Sequence, residues 1–141
     1  MKIIQNPSEY LPHRPPFLLI DELVVMDQDN FSSRTNPEGK LYLTRNGIPE
    51  DTFLIENIAQ TCAAAFGMLA RESKGEPQIG YIGAVTRLQV HHTLTSVKEI
   101  RTSIRVLQRF GTITLVEGVC HNHLGEQLLN CEMKIVLASE E

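Results

Sequence analysis

The order of apolar and polar residues changes character several times along the chain. Residues 17–26, FLLIDELVVM, form a nearly continuous apolar run with two acids inside, which predicts a strand largely covered on both faces. Pro7, Pro12, Pro15 and Pro16 precede it; their fixed φ and missing amide donor exclude a regular helix, so an irregular segment is expected to cover the core there. Asp27 to Asn30 reads as a turn. Residues 31–43 mix polarities around Asn36, Pro37 and Gly39 and predict a strand with an interruption or a broad loop.

After Pro49 the period lengthens to that of a helix. Asp51 is the expected N-cap, and Phe53, Leu54, Ile55, Ile58, Ala59, Cys62, Ala63, Phe66 and Leu69 supply an apolar stripe that should run to about Gly75. Only Glu56, Asn57, Gln60 and Thr61 are polar before Arg71. A helix so apolar nearly all round is expected inside a surrounding sheet rather than on a surface.

The last third alternates. Ile100, Ile104 and Val106 are expected on one face of a strand, with Arg101, Ser103, Arg105 and Arg109 on the other. A second strand over residues 112–120 follows Gly111. A third, with Leu129, Cys131, Met133, Ile135 and Leu137 alternating against Asn130, Glu132 and Lys134, follows a turn at residues 121–125. With residues 80–90 and the early strand, this gives five or six strands against one long buried helix, an α+β arrangement.

The length of 141 residues fits one domain over residues 1–141, with no space for a separate cofactor domain, so no cofactor is expected. An apolar share of 42% is enough for a proper core, and a net charge of -4 without a lysine and arginine run argues against nucleic acid. Cys62, Cys120 and Cys131 are an odd number at no metal-like spacing, which points to free thiols and a reducing, cytoplasmic home. The first residues, MKIIQNPSEYLPHRPP, have no apolar core of signal-peptide length, and no run of 18 uncharged apolar residues occurs, so neither export nor membrane insertion is expected.

Two segments resemble a known family. Leu11-Pro12-His13-Arg14-Pro15-Pro16-Phe17-Leu18-Leu19-Ile20-Asp21 is similar to the N-terminal segment of bacterial 3-hydroxyacyl-acyl-carrier-protein dehydratases. Phe53-Leu54-Ile55-Glu56-Asn57-Ile58-Ala59-Gln60 resembles the start of that family's central helix, where an apolar run leads into a glutamate and then Ala-Gln. The resemblance implies a hot-dog fold, a curved antiparallel sheet wrapped around one helix, paired into a dimer with acyl tunnels at the interface. It implies Glu56 as a catalytic residue and acyl carrier protein as the partner that presents the substrate. Gln60, Phe53, Leu54, Tyr42 and Gly83 are the expected substrate-binding positions, with tunnel dimensions set among Phe66, Met68, Tyr81 and residues across the interface.

The departure is as informative. The family's second catalytic residue, the histidine of a Gly-His-Phe-Pro motif, lies fourteen positions before the helix glutamate; here that count from Glu56 lands on Tyr42. Residues 40–51, KLYLTRNGIPED, contain no histidine, and the family's Met-Pro-Gly before the helix is replaced by Pro49-Glu50-Asp51. Removing water from a 3-hydroxyacyl thioester needs a base for the C2 proton and an acid for the leaving hydroxyl. Donors for the thioester oxygen are expected from backbone amides near Glu50 to Leu54, at the positive end of the helix dipole. A lone carboxylate in an apolar tunnel is expected to be raised in pKa by desolvation, which would let Glu56 carry a proton.

Other residues have weaker or competing readings. Glu56 is either that proton carrier or a carboxylate satisfied by Gln60 one turn on. His13 either fixes the proline-rich segment or serves as the substitute acid or base. His91 and His92 sit at a strand end where solvated polar residues are common. His121 and His123 have the spacing of some metal ligands but no third ligand nearby, so no metal is expected. Arg101, Arg105 and Arg109, with Arg14, Arg45 and Arg87, are either a solvated face or a docking patch for the acidic carrier protein. Three functions remain open: a dehydratase pairing Glu56 with His13 or another partner; a subunit of a heterodimer whose related hot-dog partner supplies the missing histidine; and a hot-dog thioesterase or non-catalytic acyl-binding module.

Overall fold

A computed structural model describes residues 1–73, 80–91 and 97–138. In chain order the elements are β1 (Lys2–Ile4), a 3-10 turn (Pro7–Tyr10), β2 (Glu22–Val25), β3 (Asn30–Thr35), β4 (Thr44–Arg45), β5 (Ile48–Pro49), α1 (Asp51–Glu72), β6 (Gly80–Val90), β7 (Ile100–Phe110), β8 (Ile113–His121) and β9 (Gln127–Leu137). Seven strands form one antiparallel sheet in the order β1-β2-β3-β7-β8-β9-β6, and β4-β5 is a separate hairpin just before the helix. The helix packs on one face of this sheet, so the hot-dog expectation holds.

Period-two alternation places the core. Ile100, Thr102 and Ile104 of β7, Val116 and Cys120 of β8, and Leu129, Cys131, Met133 and Ile135 of β9 all turn toward the helix and are buried. At Gly118 of β8 the helix packs close against the sheet: a Cβ there would stand 2.7 Å from Cγ2 of Ile58. The three expected strands of the last third are β7, β8 and β9, joined by hairpins. Arg109, however, does not follow Arg101 and Arg105. A register shift between Val106 and Gln108 inverts the alternation, and Arg109 lies opposite Thr114, on the helix side of the sheet.

Two other expectations change. Only Glu22–Val25 of the long apolar run is strand, because the backbone of residues 17–19 bonds to side chains of the helix and of Thr35 rather than to the backbone of a neighbouring strand. The N-cap is Glu50, not Asp51, and α1 ends at Glu72 with Ser73 as C-cap; Gly75 lies outside the described residues. Asp51 in the first turn and Arg71 in the last complement the helix dipole.

The helix is also less enclosed than its composition predicts. Ile55, Ala59, Ala63 and Phe66, spaced by one turn, are only half-buried, and the last three line a small cavity with Gly80, Tyr81 and Ile82 of β6. Among the described residues strand β6 pairs on one edge only, with β9, and it is largely exposed on both faces; Tyr81 is 58% exposed, with Ile82 and Leu88 also open. By length and hydropathy α1 would pass for a membrane span, but it is the core helix of the sheet.

Candidate active site

Two helix side chains hold the proline-rich segment against α1. Gln60 donates from Nε2 to the Phe17 carbonyl at 2.8 Å and accepts at Oε1 from the Leu19 amide at 2.7 Å. Asn57 donates from Nδ2 to the Leu19 carbonyl at 3.0 Å. The backbone groups left unpaired when residues 17–19 fail to join the sheet are thus partly satisfied by the helix. Arg14 shapes the preceding residues: its Nη1 reaches the carbonyls of Ser8, Leu11 and His13 at 2.8, 2.9 and 2.8 Å, and its own carbonyl accepts from the Phe17 and Leu18 amides.

This clamping brings His13 to Glu56. Nε2 of His13 lies 3.6 Å from Oε1 of Glu56, and the two side chains are 32% and 29% exposed. That separation exceeds a hydrogen bond and leaves space for a small substrate atom to contact both. Glu56 is steadied from below by Gln60, whose Nε2 also approaches Oε1 at 3.3 Å. Nδ1 of His13 is buried and has no hydrogen-bond partner among the described residues. The pair opens into a cavity of about 440 Å³ lined also by Pro12, Arg14, Phe17 and Tyr42, with the Tyr42 ring edge-on to Phe17 at 5.0 Å. Pro12 and His13 also border a second, more apolar cavity of about 470 Å³, which runs past Ala63 and Gly67 to Arg71 and Tyr81.

Asn57, given no role from sequence, centres a buried polar network. It accepts from Thr102 at 2.5 Å, donates to Thr35 at 3.1 Å, and its carbonyl accepts from Thr61 at 2.8 Å. Ser33 joins at Thr61 and Cys120 at Thr102. The signal was the spacing of Glu56, Asn57, Gln60 and Thr61: these positions share one stripe of the helix, half facing the sheet and half the N-terminal segment.

Of the expected binding positions, Tyr42 lines the Glu56 cavity, whereas Gln60 is buried beneath it in a holding role. Phe53 and Leu54 are buried in the core. Gly83 lies in β6 at a register shift, where a Cβ would approach Val136 to 2.8 Å, away from Glu56. The amide of Glu50 donates to Leu43 and that of Leu54 to Glu50, and the helix start borders a different cavity with Arg45, Asp51 and Thr52. His13 and Glu56 are therefore brought together, while the helix N-terminus is not part of their cavity.

His91 bonds Asn130 at 2.8 Å, and His123 accepts from the Lys98 amide; His92 lies outside the described residues. Among the described residues no three His, Cys, Asp or Glu side chains cluster as for a metal. The arginines are paired rather than bare: Arg101 with Glu99, Arg105 with Glu117, Arg109 with Asp29, Arg87 with Glu132 and Arg45 with Glu50. The three thiols are free and buried, and burial raises Cys131 to about 11 and Cys120 to about 12.

Residues 5–137 match the ApeP-like family, described as ApeP dehydratase. The chain belongs to the ApeP-like dehydratase family. That placement agrees with the resemblance carried by the segments around His13 and Glu56. Among curated relatives, the 3-hydroxyacyl-[acyl-carrier-protein] dehydratase FabZ of Oceanobacillus iheyensis is 24% identical over 144 residues, covering 98% of this chain and 99% of that protein. FabZ of Sinorhizobium medicae is 32% identical over 84 residues, 55% of this chain; the alignment spans about half, 53%, of that relative's length. Among solved structures, the dehydratase heterocomplex ApeI:P from Xenorhabdus doucetiae has the same fold, with a TM-score of 0.82 at 17% identity over 95% of this chain and 91% of that one.

Proposed function

We propose that this ApeP-like chain dehydrates 3-hydroxyacyl thioesters presented by an acyl carrier protein, as one subunit of a hot-dog heteromer, with His13 and Glu56 as its acid-base pair. The observation that carries this reading is the 3.6 Å approach of His13 to Glu56 at the mouth of a cavity. The substrate class is that named for the FabZ relatives, and the heteromer is that named for the ApeI:P complex. Its three free thiols support a cytoplasmic setting.

Turnover requires one transferable proton on the pair. The member without it takes the C2 proton while the other gives its own to the departing C3 oxygen; the C3–O bond breaks, the C2–C3 double bond forms and water leaves. The proton then sits on the opposite member and returns across the short gap between them. The half-buried strip of α1 at Ile55, Ala59, Ala63 and Phe66, beside the open edge of β6, is the surface a related subunit would cover.

Mass spectrometry of a 3-hydroxyacyl-acyl carrier protein incubated with the chain, alone and with a hot-dog partner, tests the proposal. Loss of one water that disappears in Glu56→Gln is expected. Release of free acid instead would mean hydrolysis, and an unchanged substrate in both mixtures would leave a binding role.

A further inference from the structure

We infer that Arg14 is a positioning residue that holds the His13 imidazole against Glu56, rather than a docking contact for the carrier protein. This rests on the acid-base reading of that pair and adds the residue that assembles it.

Arg14 is exposed, yet its Nη1 is taken up by its own segment: it donates to three main-chain carbonyls, those of Ser8, Leu11 and His13 itself. One terminal nitrogen carries two protons, so at least one of these bonds is shared between two acceptors, and the three carbonyls are drawn to a single point. The backbone from Ser8 to His13 is curled around that point. On the other side, the Arg14 carbonyl accepts from the amides of Phe17 and Leu18 at 2.8 and 3.1 Å, starting the stretch that Gln60 and Asn57 anchor on the helix. Among the described residues Arg14 forms no carboxylate ion pair, unlike Arg45, Arg87, Arg101, Arg105 and Arg109.

His13 needs such support because its ring has little of its own. Nδ1 has no partner among the described residues, and Nε2 meets Glu56 only at 3.6 Å, so no hydrogen bond fixes the imidazole. Its placement comes from the backbone, and Arg14 is the side chain that sets that backbone. A guanidinium fits this task better than an ammonium, whose point charge sits on a shorter, freer stem.

The test reads the His13 imidazole 1H and 15N signals in the full chain, with Glu56→Gln introduced into the wild type, Arg14→Lys and Arg14→Met. Glu56→Gln is expected to move the His13 signals in the wild type and leave them unmoved in both Arg14 backgrounds, with His91, His121 and His123 reporting an intact fold. An equal displacement in all three, or none in the wild type, would overturn the inference. With the carrier-protein substrate, Arg14→Lys is expected to lower kcat by about 100-fold at constant KM despite its retained charge. Wild-type kcat in Arg14→Lys with a raised KM in Arg14→Met would identify a docking residue and overturn the inference as well. Full turnover in both His13→Asn and Glu56→Gln would instead remove the acid-base reading, a result separate from the imidazole signals.

Discussion

Nε2 of His13 faces Oε1 of Glu56 at 3.6 Å, although 43 positions separate the two residues in sequence. If they work as a unit, His13→Asn and Glu56→Gln should each lower kcat by about 100- to 10,000-fold with little change in KM. The double variant should be scarcely worse than either single one, since removing one member already disables the pair. Steady-state turnover of the four proteins checks both statements.

Gln60 ties the segment carrying His13 to the helix carrying Glu56. Gln60→Ala leaves the Phe17 carbonyl and Leu19 amide without their partner, and is expected to cost about 1–3 kcal/mol in urea unfolding. Turnover should fall further than stability alone explains.

Much of this architecture is legible in the sequence, for physical reasons that also mark where legibility stops. Alternation of buried and exposed residues along residues 100–137 identifies β7, β8 and β9 because each has one face on the core. The same logic fails at Arg109, where one bulged residue inverts the register and nothing in the local pattern announces it. The run from Phe17 reads as strand because its residues are apolar, yet Gln60 and Asn57 capture its backbone from 38 to 43 positions away. Glu56 stands out as an acid on an apolar helix, and the resemblance gives it a role. His13 becomes its neighbour only through tertiary contacts.

Ile58 of the helix packs directly over Gly118 of the sheet. Gly118→Ala forces a Cβ to 2.7 Å from the Ile58 methyl and should destabilise the fold by about 1–3 kcal/mol. In an Ile58→Ala background the same substitution should cost less, a non-additivity that thermal unfolding of the set will show.

The buried thiols set a limit at high pH. Burial raises Cys131 to about 11 and Cys120 to about 12 from 9.0, with Cys62 raised further. The unfolded chain therefore releases these protons first. Their contribution to stability is fully present below pH 9 and is lost as pH rises through the folded-state values. Denaturant midpoints from pH 8 to 11 should decline accordingly. A thiol reagent at pH 8 should label none of the three in the native protein and all of them after unfolding.

The open edge of β6 should decide assembly. Introducing Ile82→Lys and Leu88→Glu together is expected to leave the far-ultraviolet dichroism unchanged while size-exclusion chromatography shifts from an assembled species to a single chain. Persistence of the larger species would place the interface elsewhere.

The arginines along β7 and its neighbours each stand beside an acid, as in Arg101 with Glu99 and Arg105 with Glu117. Such couples act as short dipoles whose potential dies away faster than that of a bare charge, and dissolved ions shorten its reach again. An approaching molecule would feel this face only near contact. Its capture would then depend on fit rather than long-range attraction, and the encounter rate should change little between dilute and concentrated salt.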